Sequence, residues 1–233
     1  MVDLTSEMAQ LWASLGPASP DHVRVVQFAA ATPGEGTSTV AREFARFAAG
    51  RAARPVWLVD LDLAGASQYR AIAADSRRYG ALGRPSAGSP DSSAFFVVRP
   101  PTEGPDGQVW ADARFLIAYP VGGGRLWVTR FRREAMAQGQ QARILASGAY
   151  WKALRPHAEL IVVDAPAVDG AQAAVAVAPF VDFTILVIAA GQGEAAAPAA
   201  LKEAIVKAGG RCAGLFLNRA HAEPPSFLRS LLR

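Results

Sequence analysis

Apolar positions recur along the chain in two distinct periods. Leu4, Met8, Leu11, Trp12 and Leu15 fall three or four apart, which predicts an amphipathic helix over Met1 to Leu15, ended by Gly16-Pro17 and Ser19-Pro20. Val23 to Ala30 is a short apolar run and reads as a buried strand. Thr37 to about Ala49 returns to the helical period, with Val40, Phe44 and Phe47 inward and Arg42, Glu43 and Arg46 toward water. Pro55 to Asp60, Leu160 to Val163, Phe183 to Ala189 and Gly214 to Leu217 repeat the strand signature, and alanine-rich helices are expected between them. Phe115 to Val121 and Arg125 to Phe131 flank Gly122-Gly123-Gly124, a hairpin pattern. Ala142 to Leu154 reads as helix, and the Gly-, Pro- and Ser-rich Gly83 to Ser93 as a mobile loop.

Continuous apolar strands alternating with helices predict an α/β fold: a mostly parallel sheet with helices on both faces. The expected organisation is an N-terminal helix and linker over 1–20, one domain over 21–221 and a short tail over 222–233. In such sheets the ligand crevice lies beyond the carboxyl ends of the strands. The loop after the first strand, Asp60 and Asp164 all fall at those ends.

Composition narrows the function classes. A chain of 233 residues that is 51% apolar can bury one good core. Net charge is +4, and the excess is arginine, dispersed apart from Arg77-Arg78 and Arg130-Arg132-Arg133. Nucleic-acid binding is therefore not expected. A lone Cys212 excludes an internal disulfide and fits a reducing cytoplasm. The first residues carry Asp3 and Glu7 and lack the basic start of a secretory leader. Pro179 and Asp182 interrupt the most apolar window, Ala173 to Ala190, so a bilayer span is not expected there. In the tail, Phe227, Leu228, Leu231 and Leu232 alternate with Arg229 and Arg233; helix packing is expected ahead of direct membrane contact. His22, His157 and His221 show no metal-ligand spacing.

The candidate chemistry sits in Ala31-Thr32-Pro33-Gly34-Glu35-Gly36-Thr37-Ser38-Thr39. A phosphate-binding loop reads G-x-x-x-x-G-K-[ST]. Here Ala31 stands at the first glycine and Thr37 at the lysine. Gly34 and Gly36 let the backbone wrap, and Ser38 and Thr39 open a helix whose positive end faces an anion. A lysine would add a charge about 4 Å from a phosphate, worth roughly 4 kcal/mol at an effective dielectric near 20. Losing half of that weakens binding about thirtyfold. The cost to phosphoryl transfer is larger, because the same charge stabilises the transferring group. The only lysines are Lys152, Lys202 and Lys207, all far along the sequence. Arg24, Arg42, Arg130 or Arg132 are the candidate substitutes, with Arg42 expected on the solvent face.

Two strand-end aspartates, Asp60 and Asp164, together with the Ser38 hydroxyl, would supply the oxygen set of a magnesium ion that bridges phosphates. The plain alternative is that such aspartates cap helices or hold loops. Asn218, directly after Gly214 to Leu217, could donate to and accept from an adenine edge, or simply end its strand.

The order of glycine loop, Val59-Asp60-Leu61-Asp62, Val162-Val163-Asp164 and Gly214-x-x-x-Asn218 resembles the cytoplasmic module of bacterial tyrosine kinases of capsule and exopolysaccharide systems, the CpsD/CapB type. The resemblance covers roughly Val23 to Ala220. It implies a P-loop NTPase-like fold of the ParA/MinD and bacterial tyrosine kinase type, with ATP or ADP and Mg2+ as cofactors. By the same likeness Gly34, Glu35, Gly36, Thr37, Ser38 and Thr39 would contact phosphate and Asn218 adenine. Asp62 would be the catalytic second-loop acid, and Ser38, Asp60 and Asp164 the metal set. A membrane chain-length regulator or polysaccharide export protein would be the partner, self-association stays open, and the location would be cytoplasmic at the inner membrane. The departures are systematic. Thr37 replaces the lysine, Ala64 replaces the arginine of D-x-D-x-R, and Ala165 and Ala167 loosen the D-[ST]-P-P ending. Gln10 and Ala13 fill the arginine places of an E-x-x-R-x-x-R motif begun by Glu7. No tyrosine follows Ala220; the tyrosines are Tyr69, Tyr79, Tyr119 and Tyr150.

The preferred expectation is a kinase-like protein of exopolysaccharide or holdfast-type synthesis and export, impaired in transfer and acting through partners. An active kinase or ATPase with a non-lysine phosphate contact is the second. A ParA/MinD-like positioning ATPase is the third, disfavoured because Thr32 stands where those proteins carry a signature lysine.

Overall fold

The computed structural model describes residues 3–16, 22–167, 171–191 and 196–219. The tail over 222–233 and His221 lie outside them. Among the described residues, ten strands and seven α-helices follow in the order α1 (Thr5–Ser14), β1 (Arg24–Ala29), α2 (Thr37–Ala49), β2 (Val56–Asp60), α3 (Ser67–Ala74), α4 (Ser76–Tyr79), β3 (Ser86–Ala87), β4 (Phe96–Arg99), β5 (Leu116–Val121), β6 (Leu126–Phe131), β7 (Gln141–Ile144), α5 (Ala149–Leu154), β8 (Leu160–Ala165), α6 (Gln172–Val177), β9 (Phe183–Ala189), α7 (Ala196–Lys207) and β10 (Cys212–Asn218). The large sheet has the order β10-β9-β1-β8-β2-β6-β5-β3. Its first six strands run parallel, and β5 and β3 add antiparallel to the β6 edge.

Alternation along each strand divides the core in two. Val26, Phe28, Leu58 and Val162 face one side, covered by α1 and α2, where Phe44 packs on Phe28 at 5.4 Å and on Trp12 at 6.1 Å between ring centroids. Val25, Val59, Val163 and Leu186 face the other, under α5, α6 and α7. On this second side β4 and β7 form a two-stranded antiparallel sheet, and Phe96 stacks edge-on against Phe131 at 5.0 Å. This is the mostly parallel, doubly covered sheet that the sequence predicts, and the glycine-flanked hairpin is β5–β6.

Three expectations need correction. Ala142 to Leu154 is not one helix: Gln141–Ile144 is a strand whose Ala142 and Ile144 alternate onto the core, and only Ala149–Leu154 is helical. Gly83 to Ser93 is not wholly a free loop, because Ser86–Ala87 pairs with β5. Glu43 does not face water. It is 1% exposed and meets Arg78 at 2.9 Å and Arg46 at 3.0 Å, while the Tyr79 hydroxyl donates to it at 2.8 Å. Burial raises the Glu43 pKa, but the Arg78 and Tyr79 hydrogen bonds and the Arg46 charge outweigh it and hold the carboxyl below its usual range.

Candidate functional site

β1, β8 and β2 are neighbours, so their carboxyl ends bring three sequence features together. The loop leaves β1 and enters α2 through Gly36, whose φ of 88° a residue with a side chain rarely adopts. A Cβ on Gly36 would also displace the Asn218 amide. Thr32, Gly34, Gly36, Thr37, Ser38 and Thr39 line a cavity of about 270 Å³, closed on the far side by Pro166, Ala167 and Arg219. Thr37 is buried at the first position of α2, where the helix amides open onto the cavity.

Asp60 and Asp164 are paired in register on adjacent parallel strands and both point to the α2 side. Asp60 accepts from Asp62 N at 2.9 Å and Gln68 N at 2.9 Å, so it caps the start of α3. Asp164 is fully buried and accepts from Gln68 Nε2 at 2.5 Å; its Oδ1 makes no hydrogen bond of normal geometry, and the nearby Ser38 side chain favours its charged form. Burial raises the pKa of both; the neighbouring Asp164 charge adds to the rise at Asp60, and Asp164 is pushed up to about 6. Asp62 turns its carboxylate onto its own loop, accepting from Gly65 N at 2.7 Å. Glu35 accepts from Thr32 Oγ1 at 2.6 Å; its buried Oε2 has no partner, and the residue lines a different cavity, with Leu186, Ile188 and Lys202.

Asn218, at the end of β10, donates to the Glu35 carbonyl at 2.8 Å. Its carbonyl oxygen accepts from Arg219 N at 3.0 Å, so the side chain is engaged with the loop and its own backbone.

Two residues outside the motifs complete the site. Gln68, on α3, is fully buried. Besides Asp164, its Nε2 donates to the Ser38 carbonyl at 2.8 Å, and its Oε1 accepts from Arg42 at 3.0 Å. Arg42 therefore does not stand free in solvent; it also donates to Tyr79 at 3.1 Å. The one signal for Gln68 was an amide eight residues after a strand-end aspartate. Arg219 donates to the Gly34 carbonyl at 3.0 Å and is the arginine that lines the cavity. Its signal was simple adjacency to Asn218.

Ser38, Asp60 and Asp164 are chemically suited to Mg2+, and neighbouring donors already engage part of that oxygen set. Gln68 places an N–H donor on Asp164 Oδ2, and each Asp60 oxygen accepts from one backbone amide. Among the described residues no group of three or more His, Cys, Asp or Glu side chains is placed to hold a metal ion. No described helix is long and apolar enough to cross a membrane.

No protein-family model and no curated protein matches the sequence. Solved structures do match in fold. The kinase domain of the Escherichia coli tyrosine kinase ETK aligns at a TM-score of 0.56 and 17% identity over 93% of this chain and 75% of that one. The chimerical protein CapA2B2 gives 0.61 and 16% over 94% and 86%. The BceF tyrosine kinase domain gives 0.54 and 17% over 92% and 74%. The chain thus has the fold of bacterial tyrosine kinase domains, the fold its glycine loop and strand order predict.

Proposed function

We propose that this chain is a kinase-like protein that has exchanged phosphoryl transfer for partner binding, in bacterial exopolysaccharide or holdfast-type synthesis and export. The observation that carries the loss of transfer is how its polar groups are spent. Threonine stands in the lysine's place, Asp164 is bonded to Gln68, Asp60 to the start of α3, and Asn218 to the loop. A transferring site keeps such groups ready for nucleotide and metal. The polysaccharide setting and the partner, a membrane chain-length regulator or export protein, rest on the sequence resemblance; the shared fold supports them only at the level of architecture. The same reading places the protein in the cytoplasm, held at the inner membrane by that partner. Pure protein incubated with ATP and Mg2+ should release no phosphate above the Asp60→Ala, Asp164→Ala double variant. Turnover that this variant abolishes would refute the reading.

A second reading is favoured by one observation. Arg219 sits against the loop and lines the cavity, so it could lend phosphate a cation. On that reading ATP or ADP binds without efficient transfer, and Arg219→Ala weakens nucleotide binding while leaving the fold intact.

A further inference from the structure

Both N–H groups and the oxygen of the Gln68 carboxamide are engaged. One N–H goes to Asp164 Oδ2 at 2.5 Å, the other to the Ser38 carbonyl at 2.8 Å, and the oxygen receives Arg42 at 3.0 Å. This fixes the amide's orientation. Reversed, it would set its oxygen against a carboxylate and its N–H groups against a guanidinium. The side chain comes from α3, and its own backbone N–H is the group that Asp60 Oδ2 holds at 2.9 Å. A single residue therefore ties both aspartates and the start of α2 together.

We infer that Gln68 is an internal competitor of a divalent cation: its amide N–H groups bridge the Ser38 carbonyl and Asp164 Oδ2, and so occupy one of the carboxylate oxygens on which a metal held by the Ser38 hydroxyl and Asp164 would draw. Donor hydrogen and metal ion compete for the electron density of Asp164 Oδ2. A cation taking this oxygen must expel the amide, which costs the Ser38 carbonyl its Gln68 donor and Arg42 one of its two acceptors. No bulk solvent reaches the pair to soften that exchange, because Gln68 and Asp164 are both fully buried. The other oxygen, Asp164 Oδ1, is not taken by the amide, which saturates only half of the carboxylate. The cation-binding capacity is therefore masked, not removed. Arg42 extends the lock outward. It also donates to Tyr79, whose hydroxyl donates to Glu43, so a continuous polar chain runs from the crevice to the outer side of α2.

This inference deepens the reading above, since it concerns the same crevice, and it is tested without nucleotide or partner. Mn2+ alone, titrated and followed by electron paramagnetic resonance, should show no saturable site in the native chain at millimolar metal. Gln68→Ala should bind one equivalent at least about tenfold more tightly, the worth of one charge-assisted hydrogen bond. Gln68→Ala combined with Asp164→Asn should lose the site again. Equal Mn2+ affinity in the native chain and Gln68→Ala would overturn the inference. Should Gln68→Ala fail to fold, the native protein answers alone. Its Gln68 side-chain amide resonance should be unmoved by Mg2+ and unbroadened by substoichiometric Mn2+, and a shift or selective broadening would overturn it. Absence of phosphate release leaves this inference standing or falling on the metal titration alone, so the two readings fail separately.

Discussion

Restoring the loop's missing charge with Thr37→Lys is the sharpest perturbation of the crevice. Thr37 is the first residue of α2 and lines the 270 Å³ cavity, so a lysine stem rooted there starts beside the helix amides that would receive phosphate. An ammonium about 4 Å from a phosphate charge is worth roughly 4 kcal/mol at an effective dielectric near 20. The structure reduces that gain, because Arg219 already brings a cation to the loop. Keeping half of the gain leaves about 2 kcal/mol, or roughly thirtyfold in affinity. Calorimetry with ATP, with and without Mg2+, should therefore show Thr37→Lys binding about thirtyfold more tightly than the native chain. Most of the gain should persist without Mg2+, because Gln68 occupies one of the carboxylate oxygens on which a metal would draw. Repeating both titrations on Arg219→Ala separates the existing cation from the introduced one. A well-folded Thr37→Lys that binds ATP no better than the native chain would refute the reasoning. The cavity would then lack the shape of a phosphate cradle, and charge would not be what it is missing.

Further outcomes follow from the same geometry. Glu43→Gln should cost about 1–3 kcal/mol of unfolding free energy, below the usual figure for a broken buried pair because Arg46 and Arg78 can relax toward water. Since the Glu43 pKa is lowered on folding, its contribution is present above the unfolded value and lost as pH falls through the folded one, so denaturant curves of the two proteins should converge in acid. Asp164 works in the opposite sense. Its pKa is raised to about 6, so native stability should fall as pH rises from about 4 to about 6, by on the order of 2–3 kcal/mol relative to Asp164→Asn. A flat difference across that interval would contradict it. Gly36→Ala should destabilise by about 2–3 kcal/mol, combining a left-handed backbone with displacement of the Asn218 amide, and amide exchange of the loop should quicken.

Much of the architecture was legible because it is local. The hydrophobic periods of α2, β2, β8 and β9 carry their own boundaries, and three glycines announce the β5–β6 turn. What escaped depends on distant partners. Gln141–Ile144 is strand only because Phe96–Arg99 lies beside it, and four residues carry too little pattern to say so. Glu43 sits between arginines on a helix and reads as solvent-facing; Arg78 and Tyr79, which bury it, come from a separate helix. At the crevice, the motif positions were visible and their occupation was not. Asp60, Asp164 and Asn218 stand where the pattern puts them, yet each is bonded to a neighbour that no motif names.

The grip of the last described strand on the first loop also sets a schedule. Asn218 and Glu35 lie 183 residues apart. A ribosome working at about 5–20 residues per second needs roughly ten to forty seconds to deliver the later one. Until β10 arrives, the Asn218 amide that packs against Gly36 is missing. The cradle is therefore among the final parts of the nascent protein to set, and a translational pause before β10 would leave a stub with a formed central sheet and an unfinished cleft.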